Sequence, residues 1–259
     1  MPLSILLTGA SSGIGRAAAE RLLRGGHRLH LCSRTEPTGL DGAAWIRMNV
    51  DDDASVEAAA RIAGVPDAVV CCAGFAIFGS VEEVPLDRAR ALFETNLFGT
   101  LRVLRAVLPG MRRAGRGRIV LVGSLAGRAP IPFQAHYSAS KAAIDALAQS
   151  LHNEVGPFGL HVSLIEPGDI RTAFNDHTDW RGSAGSAYGG AVQSAEATIR
   201  RTLQEAPGPD LVAQAIEHAL TAPRPRFRYS LGPGAREVGW ARRLLSDQAC
   251  LRLLRKHFL

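Results

Sequence analysis

Lysine is almost missing from this chain: of 30 basic residues only Lys141 and Lys256 are lysines, the rest being arginine. A lysine inside a motif is therefore seldom there by chance. Cysteine is also scarce, four in 259 residues, and Cys71 and Cys72 are neighbours. Adjacent cysteines rarely bridge each other and a chain of this length needs no disulfide framework, so a reducing compartment is expected. No apolar run approaches the roughly 18 residues that span a bilayer. The chain enters Pro2-Leu3-Ser4-Ile5-Leu6-Leu7 without a basic and then apolar leader. A soluble cytoplasmic protein is expected. Charged residues are limited to 21% against 46% hydrophobic, which excludes a disordered, collagenous or coiled-coil chain.

What is present is a rhythm. Short apolar runs at Ile5–Thr8, Arg28–Cys32, Trp45–Met48, Ala68–Cys72, Arg118–Gly123 and His161–Ile165 predict strands. Helical patterns near Ile14–Arg24, Ala54–Ala63, Asp87–Ala114 and Ala135–Val155 fall between them. Runs that are apolar without alternation suit strands buried on both faces of a parallel sheet. Strand-helix repetition implies right-handed crossovers and an α/β doubly wound sheet with helices on both faces. No repeat or linker divides residues 1–259, so one domain is expected. Two regions break the rhythm. Residues 172–206 form a candidate lid, opening with an irregular stretch rich in Gly, Ser and Ala from Thr172 to Gly190. Pro223–Leu259 carries nine basic residues against Glu237 and Asp247, and its end, residues 233–259, reads as a basic amphipathic segment.

Three motifs carry chemistry. Thr8-Gly9-Ala10-Ser11-Ser12-Gly13-Ile14-Gly15 follows the first strand and opens the first helix. Glycines there let the backbone turn tightly and approach a pyrophosphate, whose charge the helix N-terminus favours. At the end of the second strand, Ser33-Arg34 stands where a dinucleotide-binding unit that prefers NAD would offer an acid. Arg34 can fork onto a ribose 2′-phosphate and Ser33 can donate to it, so NADP(H) is the expected cofactor. Finally, Tyr137 and Lys141 stand four apart on a predicted helix and share a face, with Ser124 thirteen residues before the tyrosine. A nearby cation should bring a phenol, with its pKa of about 10, toward the working range.

Together these residues resemble the short-chain dehydrogenase/reductase family, in its single-domain branch, over essentially residues 3–232. The resemblance implies a Rossmann-type fold. The family's glycine motif matches Gly9, Ser12, Gly13, Ile14 and Gly15, to which the loop's Ser11 is added; its catalytic residues fall on Asn96, Ser124, Tyr137 and Lys141. The adenine-contacting pair becomes Asn49-Val50, and the nicotinamide turn becomes Pro167-Gly168-Asp169-Ile170-Arg171-Thr172, making Pro167, Gly168, Ile170 and Thr172 cofactor contacts. By this likeness Tyr137 protonates a carbonyl oxygen as hydride arrives, Ser124 polarises that oxygen, and Lys141 lowers the tyrosine pKa and binds the nicotinamide ribose. Asn96 anchors a relay water. The usual Asn-Asn-Ala-Gly reads Cys71-Cys72-Ala73-Gly74 here, which puts local rigidity in question while Ala73 and Gly74 still line the ribose. Two buried small hydrophobes is the favoured reading of the cysteines, a redox pair the other.

By position, Ile77, Phe78, Leu125, Phe133, His136, Phe174 and Trp180 should surround the substrate. An apolar and aromatic list suits a small-molecule carbonyl or alcohol that is bulky and lipophilic: steroid-, polyketide- or acyl-like. His136 is read as lining. In the tail Trp240, Leu244, Leu251, Leu254 and Phe258 cluster on one helical projection. A cover over the cleft or a homo-oligomer interface is preferred to a membrane-surface contact. Nucleic-acid binding is not expected, because no recognised motif accompanies the charge. A homodimer or homotetramer is the expected assembly. The rival readings are a non-catalytic NADP-binding sensor or scaffold, and a sugar-nucleotide epimerase or dehydratase, which would need a larger C-terminal domain.

Overall fold

The computed structural model describes residues 1–172, 174, 178–180 and 185–259. Within the candidate lid, residues 173, 175–177 and 181–184 lie outside the described residues. Seven strands form one parallel sheet in the order β3-β2-β1-β4-β6-β7-β9. They are β1 (Ser4–Thr8), β2 (Arg28–Ser33), β3 (Ala44–Arg47), β4 (Ala68–Cys71), β6 (Gly117–Val122), β7 (Leu160–Pro167) and β9 (Arg228–Leu231). Leu6, Leu7, Val69, Val70, Ile119 and Val120 are essentially inaccessible, as unbroken apolar strands covered on both faces must be. One face packs under α2 (Asp53–Ala63), α4 (Thr100–Ala114) and α5 (Ala135–Val155). The other packs under α1 (Gly13–Arg24) and α7 (Asp210–Thr221). The chain reverses its order of strand addition at β1 and β4, so a crevice opens at their carboxyl ends.

The expected helix Asp87–Ala114 is three pieces: α3 (Leu86–Phe93), a π-helical turn at Glu94–Gly99, and α4. The cause is Asn96. Its Nδ2 donates to the Phe75 carbonyl and to Ser140 Oγ, and its Oδ1 accepts from Phe75 N, at 3.0, 3.1 and 3.0 Å. Widening the helix by one residue turns that amide inward, the arrangement in which π-bulges usually serve a site. A second, two-stranded parallel sheet joins β5 (Ile77–Phe78) to β8 (Asp179–Trp180).

The tail is also divided. Instead of one continuous helix, α8 (Ala235–Leu244) and α9 (Asp247–Phe258) are separated by Ser246, whose side chain accepts from Ala249 N and caps α9. The expected common face therefore splits: Trp240 and Leu244 are 60% and 71% exposed, while Phe258 packs beside Val192 and Ile199 of α6 (Gly190–Glu205). Among the described residues no helix is long and apolar enough to cross a membrane.

Candidate active site

A cavity of about 1280 Å³ occupies the crevice. Its first wall is the loop between β1 and α1. Gly9 and Gly13 take φ of +71° and +55°, which L side chains rarely adopt, and a Cβ on Gly15 would stand 2.2 Å from the Gly9 carbonyl. Ser12 ends the loop as N-cap of α1 with no side-chain capping bond, and no acid sits in the first turn. Unsatisfied N–H groups at a helix start, with an uncommitted hydroxyl, fit a dinucleotide pyrophosphate. Gly9, Ser11, Ser12, Gly13, Ile14 and Gly15 all line the cavity.

Further along it come Ser33, Arg34, Asn49, Val50, Ala73 and Gly74, then Pro167, Gly168, Ile170 and Thr172. Arg34 is exposed and unpaired among the described residues. Ser33 departs from expectation. Its hydroxyl donates to the Thr35 carbonyl at 2.6 Å and accepts from Trp45 Nε1 at 3.2 Å, so its hydrogen is committed to shaping the turn. At the Cys71-Cys72 departure, Thr8 Oγ1 accepts from Cys72 N and Ala73 N at 3.1 and 3.2 Å. A threonine hydroxyl thus ties β1 to the end of β4. Cys71 is buried and Cys72 nearly so; burial pushes both thiols up, that of Cys72 to about 12. Neither is a ready thiolate.

At the centre, Ser124, Tyr137 and Lys141 face the same cavity. Ser124 caps the short turn after β6, its Oγ accepting from Ala126 N, and it hydrogen-bonds the Tyr137 phenol. Tyr137 and Lys141 occupy successive turns of α5. Lys141 Nζ donates to the Val122 carbonyl at 2.9 Å. Burial pushes Tyr137 up to about 12 despite the Ser124 bond, with the Asp169 charge adding to it, and takes Lys141 down to about 8. The expected lowering of the phenol by the lysine is therefore not what the chain alone displays. Desolvation of both groups in one dry wall outweighs their attraction. Asn96 lies behind the wall, not in it: both amide hydrogens are spent on Phe75 and Ser140, and Ser140 Oγ donates to the Tyr137 carbonyl at 2.8 Å. The expected relay water would have to use its oxygens, of which Oδ1 already accepts from Phe75 N and the backbone carbonyl from Thr100.

The substrate list needs correction. Leu125, Phe174 and Trp180 line the cavity, and the Phe174 ring lies 6.3 Å from that of Tyr137, tilted by 54°. Ile77 and Phe78 do not: pairing of β5 with β8 turns both into the core, where Phe78 contacts Phe133 and Trp180. Phe133 adopts φ +61°, and its ring sits between Phe78 and Tyr188, behind the lining. His136 lines no part of the cavity. Sequence reasoning missed Arg88, which holds Asp179 through two nitrogens at 3.1 and 2.9 Å beside the mouth. It also missed Val238 and His257, which with Leu254 and Phe258 of the expected tail cluster close the far end. The tail's helical projection was the available signal for Leu254 and Phe258; nothing local marks the others.

The family model described as short chain dehydrogenase matches residues 4–181. The chain is 34% identical over 257 residues to 17-beta-hydroxysteroid dehydrogenase type 1 of Mus musculus, across 88% of this chain and 73% of that one. It is 32% identical over 238 residues to 3-ketodihydrosphingosine reductase of Bacteroides thetaiotaomicron, across 90% and 88%. Its structure resembles that of a short-chain dehydrogenase from Streptomyces avermitilis with TM-score 0.81 and 31% identity, over 96% of this chain and 94% of the other. A glycine loop, a parallel sheet and a serine-tyrosine-lysine wall assembled in this way, with relatives of that kind over most of its length, mean that the chain belongs to the short-chain dehydrogenase/reductase family of oxidoreductases.

Proposed function

We propose that the protein is an NADP(H)-dependent ketoreductase, interconverting a bulky lipophilic ketone and its alcohol. The observation that carries this reading is the convergence of Ser124, Tyr137 and Lys141 on one wall of a cavity that Leu254 and Phe258 help to close at its other end. A bound nicotinamide dinucleotide supplies the hydride. Gly9 to Gly15 would hold its pyrophosphate, Asn49 and Val50 its adenine, Arg34 its 2′-phosphate, and Pro167 to Thr172 its nicotinamide.

Ser124 donates to the substrate oxygen and fixes it against Tyr137, a preorganised dipole where negative charge grows. Tyr137 is neutral far above physiological pH and so enters the reductive direction as the acid, giving its phenolic proton to that oxygen. Lys141, with a pKa of about 8, is still largely protonated at neutral pH and stabilises the phenolate left behind. Asn96 holds the loop at Phe75 and, through Ser140, the first turn of α5, and acts as a positioning residue.

Leu125, Phe174, Trp180, Leu254 and Phe258 give the substrate end an apolar surface, which supports a lipophilic ketone. The names of two relatives point the same way, one a hydroxysteroid dehydrogenase and the other a ketodihydrosphingosine reductase. A sensor or scaffold without turnover would be free to lose one of the four residues, and all four are present. The test is Tyr137→Phe, assayed with a panel of steroid, acyl and polyketide ketones. NADPH oxidation should fall by a factor of at least about a thousand, with NADPH binding retained. Turnover unchanged in that variant would remove Tyr137 as the proton donor, and no turnover of any ketone by the parent protein would leave the sensor reading in place.

A further inference from the structure

Behind α8, on the side away from the substrate cavity, lies a second cavity of about 350 Å³. The helix divides the two. Val238 faces the large one, whereas Arg236, Trp240 and Arg243 face the small one, joined there by Arg128 and Arg228 from the loop after β6 and from β9. Among the described residues no acidic one lines it.

Two of the four guanidinium groups are fixed from beneath. Glu166, only 1% exposed at the end of β7, accepts from Arg228 Nη1 and from Ser230 Oγ, the latter at 2.8 Å, and lies 3.8 Å from Arg128 Nη1. Arg228 Nη2 also donates to Asp145 at 2.6 Å. These carboxylates balance Arg228 and Arg128 and hold their planes in place. Arg236 and Arg243 have no acidic partner among the described residues, although Arg242 beside them pairs with Asp247. The cavity therefore presents a surplus of two positive charges, carried by the unpaired forks of Arg236 and Arg243 beside two guanidinium groups fixed in place, an arrangement that matches a dianionic phosphate. Trp240, 60% exposed, adds an apolar wall beside the charge.

We propose that this cavity binds a phosphate group, distinct from any phosphate of the dinucleotide and separated from the substrate by the thickness of α8. The group is a phosphate monoester or a pyrophosphate. It belongs either to a soluble phosphorylated molecule or to a phospholipid headgroup, and both present the same chemistry to the four arginines.

The experiment compares the parent protein with Arg236→Gln/Arg243→Gln, both saturated with NADP+ so that the Gly9–Gly15 loop is filled. These side chains are exposed and unpaired, so the variant should fold and keep its melting temperature and its dinucleotide affinity. Inorganic pyrophosphate is titrated calorimetrically at constant ionic strength. In parallel, both proteins are sedimented with phosphatidylcholine vesicles, with and without phosphatidic acid. Loss of two charged donors should weaken binding by about tenfold or more. Pyrophosphate binding that needs the arginines assigns a soluble ligand. Retention on phosphatidic acid vesicles alone, again dependent on them, assigns a headgroup. Binding of equal strength in the two proteins, or none to either probe, overturns the proposal.

Discussion

The ammonium nitrogen of Lys141 stands 5.7 Å from the centre of the Tyr137 ring, on the next turn of the same helix. At that distance the two titrations are set more by shared burial than by each other, and this gives a pH dependence with a definite sign. Ketone reduction needs Tyr137 protonated, which holds to about pH 12, and Lys141 charged, which holds only to about pH 8. The rate of reduction should therefore be level through neutrality and fall above about pH 8. In Lys141→Arg, whose charge persists, the rate should be lower but the fall near that pH should vanish. A fall that stays in place in the arginine variant would assign the titration to another group.

The same burial predicts an effect on stability. The unfolded chain keeps the Lys141 proton up to about pH 10.5, whereas the folded chain releases it near 8. The unfolded state binds more protons between those values, so the lysine's contribution to stability rises with pH across them. Tyr137 acts oppositely, since its proton is held longer when folded, between about pH 10 and 12. The urea midpoint of the parent, measured from pH 7 to 10, should rise relative to that of Lys141→Met. A gap independent of pH would mean that the lysine is not buried as a charge.

On the proposed reading Arg34 selects the cofactor. Its guanidinium is exposed at the cavity edge and forms no ion pair among the described residues. Arg34→Asp replaces a forked donor by a charge that repels a 2′-phosphate and attracts a 2′-hydroxyl. The ratio of kcat/KM with NADPH to that with NADH should fall by about a hundredfold or more, equivalent to about 2.7 kcal/mol. An unchanged ratio would remove Arg34 from the cofactor site.

Much of this was legible because it is local. The glycine loop, the buried strands and the helix Ala135–Val155 each carry their signal in consecutive residues, and α5 has the expected bounds. The π-helical turn at Asn96 was not, since its cause lies at Phe75 and Ser140, more than 20 residues away in each direction. The edge strand β9 was missed because Arg-Tyr-Ser-Leu has no apolar run; its pairing with β7 and the Glu166–Arg228 contact define it. Phe78 was misplaced for a related reason. Only the pairing with Trp180, across a hundred residues, decides which way its ring turns.

Gly15 tests the phosphate loop as a packing device. Its ideal Cβ would lie 2.2 Å from the Gly9 carbonyl oxygen, and that backbone is tied down, Gly9 N donating to the Cys32 carbonyl at 3.0 Å. Gly15→Ala should cost about 1–3 kcal/mol of stability and weaken dinucleotide binding, since the loop must shift to make room. Thermal melts with and without NADPH check both. An alanine variant with the parent melting temperature and affinity would show that the loop is looser than its contacts indicate.

Phe258 connects the last helix to the large cavity. It is half-buried against Val192 and Ile199 of α6, and together with Leu254 and His257 it closes the apolar end of the large cavity. Removing a half-buried ring should cost about 1–3 kcal/mol, less than the full penalty for a core phenylalanine. The distance from Tyr137 to the reacting oxygen is not set by this helix, so the proton step should survive. In Phe258→Ala, KM for a bulky lipophilic ketone should therefore rise several-fold while kcat changes little, and KM for a small ketone should stay as it was. Equal effects on both substrates would make α9 a general cover over the cavity. A selective effect on the bulky one makes it part of the surface that chooses the substrate, and it extends the site to residues that follow Tyr137 by more than a hundred positions.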